Sequence, residues 1–163
     1  MMWRSHLVMG VVAAEITFEV LEITRAPELY ALALLGSLVP DLDEPRAKLS
    51  RILFFISIPL SKVVTHRGFT HTLLFSALVA SGLYLLSVPL AMVLFLSVGI
   101  LSHLIADAMT YVGVPWLYPL SRGRLSLGLF TTDSWQEKLF IGLVILGLLG
   151  FYYTLLAPEF VSL

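Results

Sequence analysis

An all-α bundle of membrane helices is the fold class this sequence predicts, and three observations carry the prediction. Hydrophobic residues make up 58% of the 163 residues and charged residues 13%, with a mean hydropathy of +0.93. A soluble domain is about 45–50% apolar and about 25% charged. Residues 72–102 contain neither a formal charge nor a histidine, and residues 139–158 are again uncharged. Apolar runs of this length are membrane helices, because a helix satisfies its own backbone polar groups where water is absent.

The length suits one domain, residues 1–163, folded as a single membrane bundle. A net charge of −1 offers no bulk basicity, so nucleic acid is not an expected partner. Cysteine is absent, which excludes disulfides, thiolate zinc sites and a cysteine nucleophile. Any metal must be held by His, Asp and Glu. The N-terminus lacks a small-residue cleavage site after a short apolar core, so it does not read as a removable signal.

The elements follow in chain order. Residues 5–24 read as a first helix with Glu15, Glu19 and Glu22 on one face, a hydrated outer face near its end. Arg25-Ala26-Pro27 breaks it, and Pro27 suits the first turn of a second helix reaching Val39. That helix is roughly 20 Å long, short of a ~30 Å hydrocarbon core. Pro40-Asp41-Leu42-Asp43-Glu44-Pro45 ends it, and Arg46, Lys48 and Arg51 follow. Residues 52–63 are apolar, short and interrupted by Pro59, which reads as an interfacial or re-entrant element. The 72–102 run would be about 46 Å as one helix, too long for the bilayer. Pro89 divides it into helices at about 69–86 and 90–110. Residues 111–136 form a loop rich in Gly, Pro and aromatics, and 139–158 is the last span. The expectation is three clear spans within four to five membrane-associated helices. Gly142, Gly147 and Gly150 are expected to serve close helix packing.

The hairpin at Pro89 returns the chain to the side on which its first arm began, so His71 and His103 share a membrane depth. Asp41 and Asp43 fall on that side, as does His6 if the first two helices form a hairpin. Nine of the ten basic residues, all but Arg25, also fall there. By the positive-inside rule that side is cytoplasmic.

Seven candidate ligands gather on it: His6, Asp41, Asp43, His66, His71, His103 and Asp107. His103 and Asp107 stand i,i+4 on a helix, on one face and about 5–6 Å apart at Cβ. Asp41 and Asp43 sit at a helix end, where the dipole disfavours carboxylates and a cation would offset both. His66 and His71 flank a glycine turn. Each motif alone has an ordinary explanation as a buried polar pair, a cap or a solvated turn. Together they are charged groups in membrane helices, which usually mark function. His/Asp ligation without cysteine favours Zn²⁺, Mn²⁺ or Fe²⁺. Seven ligands exceed one tetrahedral ion, so two ions are expected, the usual device for phosphoester hydrolysis. Arg67, Arg122 and Arg124 could grip phosphate oxygens bidentately, or Arg122 and Arg124 could be interfacial anchors.

With these residues in view, the sequence resembles a family of membrane-bound, metal-dependent hydrolases of the YdjM/YbcI type, described as LexA-regulated and inner-membrane-associated. The resemblance rests on His6, Gly36-Ser-Leu-Val-Pro-Asp-Leu-Asp43, His66-Arg-Gly-Phe-Thr-His71 and Ser102-His-Leu-Ile-Ala-Asp107, with Tyr118-Pro-Leu-Ser121 and Ser126-Leu-Gly128 as further familial runs. The family often continues its Asp-Leu-Asp with His-Pro, whereas this chain has Glu44-Pro45. The family is distantly similar to zinc-dependent phospholipase C and the S1/P1 nucleases. The resemblance implies a phosphoesterase, and a membrane site implies a lipid or lipid-linked substrate.

Three functions fit this reading. The first is a metallohydrolase in which the seven ligands hold the ions, Asp41 or Asp43 acts as general base, and Arg67 steadies the phosphoryl oxygens. The second is a metal or proton transporter using the same cluster as a transit site. The third is a scaffold with a closed structural metal.

Overall fold

The computed structural model describes residues 1–45, 47–63 and 67–161. Arg46 and His66, both singled out above, lie outside the described residues. Among the described residues seven helices are present: α1 (Trp3–Val20), α2 (Pro27–Gly36), α3 (Lys48–Ile52), α4 (Phe54–Val63), α5 (Leu73–Leu85), α6 (Leu90–Ala108) and α7 (Trp135–Val161). Two 3-10 turns, Val39–Asp43 and Phe69–His71, carry the polar motifs between them. No strand occurs among the described residues, only the isolated bridges Thr110↔Phe130 and Val114↔Leu125. The all-α expectation therefore holds.

Local chemistry sets the helix ends. Helix α1 stops in a Schellman motif: Ile23 N donates to the Phe18 carbonyl at 3.0 Å, and Glu22 takes the left-handed position with φ 52°. Helix α5 stops the same way, with Val88 N on the Leu83 carbonyl at 3.1 Å and Ser87 at φ 60°. Pro89 then caps α6 rather than kinking a longer helix. Thr72 caps α5, its hydroxyl accepting from Phe75 N at 3.0 Å.

Helices α1, α2 and α6 form the centre. Ala14, Phe18, Leu29, Ala33 and Phe95 make one buried cluster, with the Phe18 and Phe95 rings 4.5 Å apart. The α2–α6 crossing is unusually close. A Cβ on Gly99 would lie 2.2 Å from the Ala33 carbonyl oxygen, and one on Gly36 would lie 2.2 Å from that of Leu96. Only glycine permits this backbone approach. Helix α7 runs parallel to α1. Glu137 meets Met2 and Ser5 at one end, and Tyr152 meets Glu15 further along.

Several expectations need correction. Two helices, α6 and residues 135–156 of α7, are long and apolar enough to cross a membrane, rather than three. Helix α5 has 13 residues, about 20 Å at 1.5 Å per residue. Residues 69–71 turn in a 3-10 conformation instead of extending it. Helix α7 begins at Trp135, not Leu139, because Ser134 Oγ accepts from Glu137 N and the Glu137 carboxylate accepts from Asp133 N at 2.8 Å, a capping-box arrangement. Asp41 and Asp43 occupy their own 3-10 turn beyond α2, so the α2 dipole is not what they face. Glu15 is buried, not hydrated: Tyr30, Tyr152 and Arg25 all donate to it, and Arg25 also pairs with the exposed Glu19. Finally, a Cβ built at Gly142, Gly147 or Gly150 would meet nothing within 4 Å, so among the described residues these glycines serve no close packing.

Candidate metal centre

Four segments bring the polar residues together. His6 comes from the first turns of α1, Asp41 and Asp43 from the turn after α2, Arg67 and His71 from the turn before α5, and His103 and Asp107 from α6. His6, Asp43, His71, His103 and Asp107 are fully buried or nearly so, and Asp41 is partly open. The glycine-mediated contact of α2 with α6 matters here. It lets the Ser37 carbonyl reach His103 Nδ1 at 2.7 Å.

That hydrogen bond assigns a tautomer. A carbonyl only accepts, so Nδ1 of His103 carries the proton and Nε2 of the neutral ring offers a lone pair. His71 is set in a similar way. Thr70 donates its hydroxyl to Asp43 Oδ2 at 2.5 Å, leaving Oγ1 to accept from His71 Nδ1 at 3.0 Å. The lone pair of His71 is then also on Nε2. The two Nε2 atoms face each other at 3.2 Å. Two lone pairs repel at that distance unless a cation or proton lies between them. Asp41 Oδ1 stands 3.7 Å from His71 Nε2 and 3.6 Å from His103 Nε2, and Asp107 Oδ2 stands 3.8 and 3.9 Å from the same atoms. Tetrahedral ligation at 2.0–2.1 Å spaces ligand atoms about 3.3 Å apart. Each carboxylate oxygen thus stands a few tenths of an ångström farther than that spacing from both ring nitrogens.

A second grouping adjoins the first. His6, Asp41 and His103 also offer ligand atoms within 4.8 Å of one another, as do His71, His103 and Asp107. The His6 and His103 rings stack at 3.7 Å between centroids. Asp107 faces both groups: Oδ2 looks toward His71 and His103, while Oδ1 lies 3.5 Å from His6 Nε2. Burial alone would push the Asp41 carboxyl up, but the neighbouring His103, His71 and His6 outweigh it and hold Asp41 well below the usual carboxylate range.

Arg67 grips Asp107 side-on, with Nε 3.2 Å from Oδ2 and Nη2 donating to Oδ1 at 3.3 Å. The Met1 ammonium donates to the same Oδ1. Arg67 takes a left-handed backbone, φ 57°, sparsely populated for a side chain of its size. Its Nη1 is buried without a hydrogen-bond partner among the described residues. Asp43 stands on the Nδ1 side of His71, 3.7 Å away, behind the ring rather than at the Nε2 cluster. Arg122 and Arg124 sit on the exposed loop after α6. Among the described residues no hydrogen bond or ion pair joins them to the cluster, and Arg124 donates instead to the Gly113 carbonyl at 3.1 Å.

Comparison with known proteins decides the family. Residues 1–160 match the model of the YdjM inner membrane protein family. The chain belongs to the YdjM inner membrane protein family. Within that family it is 38% identical over 92 residues to inner membrane protein YdjM of Escherichia coli strain K12, covering 53% of this chain and 47% of the relative. The Shigella flexneri protein of the same name matches equally. The chain thus spans about half the length of the curated relatives it first matches. The uncharacterized protein YvsG of Bacillus subtilis strain 168 is 32% identical over 130 residues, covering 78% of this chain and 79% of YvsG. No solved structure matches the chain. Membership of this family and the two apolar helices make it a membrane protein with transmembrane helices.

In this YdjM-family chain, sequence reasoning missed the supporting residues. Thr70 and the Ser37 carbonyl orient the two histidines, and both lie inside the runs Gly36–Asp43 and His66–His71 without having been singled out there. Glu137 was detectable, since Ser134-x-x-Glu137 is a capping-box pattern. Its carboxylate goes further than a cap, accepting also from Met2 N at 2.8 Å and Ser5 Oγ at 2.6 Å.

Proposed function

We propose that this YdjM-family chain is a membrane-embedded metal-dependent hydrolase that cleaves a phosphoester of a lipid or lipid-linked substrate at the cytoplasmic interface. The observation that carries the reading is the pair of Nε2 lone pairs 3.2 Å apart, each held by a hydrogen bond behind its ring and flanked by two carboxylate oxygens. Two divalent ions, Zn²⁺ or Mn²⁺, would be held by the two donor groups, His6, Asp41 and His103 in one and His71, His103 and Asp107 in the other. A bound ion supplies positive charge at phosphorus and an acidified water. The residues do the rest. Asp41, ionised and partly open, is placed to take the water's proton, and Asp43 tunes His71 through Thr70. The unpartnered Nη1 of Arg67 is free to meet a phosphoryl oxygen while its other nitrogens hold Asp107.

The test is elemental analysis of the detergent-purified chain beside His103→Ala and Asp107→Asn, followed by a screen of lipid phosphates. About two Zn or Mn per chain, lost with turnover in both variants, is the expected result. Full metal content and activity in the variants would refute the reading.

The buried Glu15 favours transport as a second reading, because it puts a carboxylate deep inside the bundle, beyond the cluster. Ion flux into proteoliposomes without hydrolysis would select it.

A further inference from the structure

The loop between α6 and α7 has been assigned no role. Helices α6 and 135–156 of α7 both cross the membrane, so Ala108 and Trp135 emerge at one membrane surface and the loop 109–134 begins and ends there. It does not roam. Leu127 N donates to the Ala108 carbonyl at 2.7 Å and Leu129 N to that of Met109 at 2.9 Å. Val114 and Leu125 exchange both backbone hydrogen bonds at 3.0 and 2.9 Å, and Leu73 N at the start of α5 donates to the Trp116 carbonyl at 3.0 Å. Gly113 locks the ribbon. Its φ is +63°, and a Cβ there would lie 2.4 Å from the Leu125 carbonyl oxygen. Arg124 closes the same turn through its bond to Gly113.

A loop held this firmly would normally turn its apolar residues inward, and Val114 and Phe130 do so. Pro115 is also buried and Trp116 half-buried, but several others point outward. Leu117, Tyr118, Leu125, Leu127 and Leu129 are exposed, and Leu120 at the tip is 93% exposed. Arg122 stands among them, exposed and without an acidic partner among the described residues. A row of outward leucines in water is unfavourable, and contiguous apolar surface of this kind marks an interaction site. The position of the loop's two feet identifies the neighbour. Trp135, exposed at the first turn of α7, is the residue type that sits at the headgroup level. An arginine beside an apolar tip matches lipid phosphate above acyl chains.

We infer that the loop 117–129 is a rigid wedge that inserts Leu120 and its neighbouring leucines below the headgroups of an anionic phospholipid leaflet, with Arg122 on the lipid phosphates. The wedge requires only that α6 and α7 span the bilayer, so it stands apart from the hydrolase reading.

The absence of cysteine makes the test clean. Leu120→Cys, carrying an environment-sensitive fluorophore, is reconstituted into vesicles of phosphatidylcholine and into vesicles also containing phosphatidylglycerol. Leu127→Cys serves as a second site nearer the loop's feet. The expected result is blue-shifted emission from position 120, quenched by lipids labelled just below the headgroup and shielded from aqueous iodide, more strongly with phosphatidylglycerol. Arg122→Gln should abolish the phosphatidylglycerol increment. It is preferred to changing Arg124, which braces the loop. Water-like emission and full iodide quenching at both sites in both vesicles would overturn the wedge and leave a soluble protein partner for these leucines. Equal burial in both vesicles would overturn the anionic preference.

Discussion

His103 donates from one ring nitrogen to the Ser37 carbonyl and faces His71 with the other, so a single residue couples the α2–α6 packing to the candidate metal centre. Glu137 is the comparable residue on the other flank. It is buried, 1% exposed, and its two oxygens accept from Met2 N, Ser5 Oγ and Asp133 N. Hydrogen bonds to a charged acceptor are worth about 1.5–3 kcal/mol each. Glu137→Gln keeps the shape but replaces an acceptor with a donor facing other donors. It is expected to destabilise the chain by about 2 kcal/mol and to weaken metal retention, because Ser5 adjoins His6. Thermal unfolding in detergent and titration with a chelator would read the two effects. An unfolding midpoint like that of the parent chain would show that Glu137 does not anchor α1.

At the scale of elements, the contrast among glycines is the informative result. Gly99 lies where α6 meets α2, and a methyl group there collides with backbone rather than with a pliable side chain. A Cβ at Gly147 on α7 would meet nothing within 4 Å among the described residues. Gly99→Ala should therefore destabilise by about 1–3 kcal/mol through forced separation of α2 and α6. It should also lower metal content, since α2 leads into Asp41. Gly147→Ala should be neutral or stabilising by up to about 1 kcal/mol, from helix propensity alone. The denaturation midpoints of the two variants test this, and equal effects would refute the distinction. Sequence spacing had singled out the α7 glycines, which lie in one helix, whereas Gly36 and Gly99 are far apart in sequence and meet only on folding. The helix starts were more legible. Pro27 opens α2 as read, but Glu22 and Ser87 end their helices in left-handed positions where no glycine advertised the stop.

For the whole molecule, α1 and α7 run parallel and are joined at both levels, Glu137 with Met2 and Ser5 at one, Tyr152 with Glu15 at the other. Helix α1 has 18 residues, about 27 Å at 1.5 Å per residue, so Glu22 and Lys138 should lie at opposite membrane surfaces. From the bias of basic residues we propose that the Lys138 surface faces the cytoplasm. With Lys138→Cys or Glu22→Cys as the sole cysteine, an impermeant maleimide should label position 22 from outside the inner membrane. Position 138 should be labelled only in inverted vesicles. The reverse pattern would turn the site outward and remove the cytoplasmic assignment. Glu15 carries a cost in this arrangement, since a buried carboxylate must be paired. Arg25, Tyr30 and Tyr152 pair it, and a residue that reads as part of a polar helix face becomes the interior tie between α1, α2 and α7.

The amino-acid sequence made the membrane setting and the helical class legible. Composition, uncharged run lengths and the proline breaks are local properties that survive without a fold. It also singled out His6, Asp41, His71, His103 and Asp107, because ionisable groups in apolar helices are costly enough to stand out one by one. Folding settled which atoms of these residues face one another. It placed Asp43 behind His71, spent two nitrogens of Arg67 on Asp107, set Arg122 and Arg124 on an outlying loop, and turned Glu15 and Glu137 into interior ties. Those outcomes depend on tautomers, hydrogen-bond directions and a backbone crossing between residues some sixty positions apart, Gly36 and Gly99. None of these is a property of any one segment of the chain.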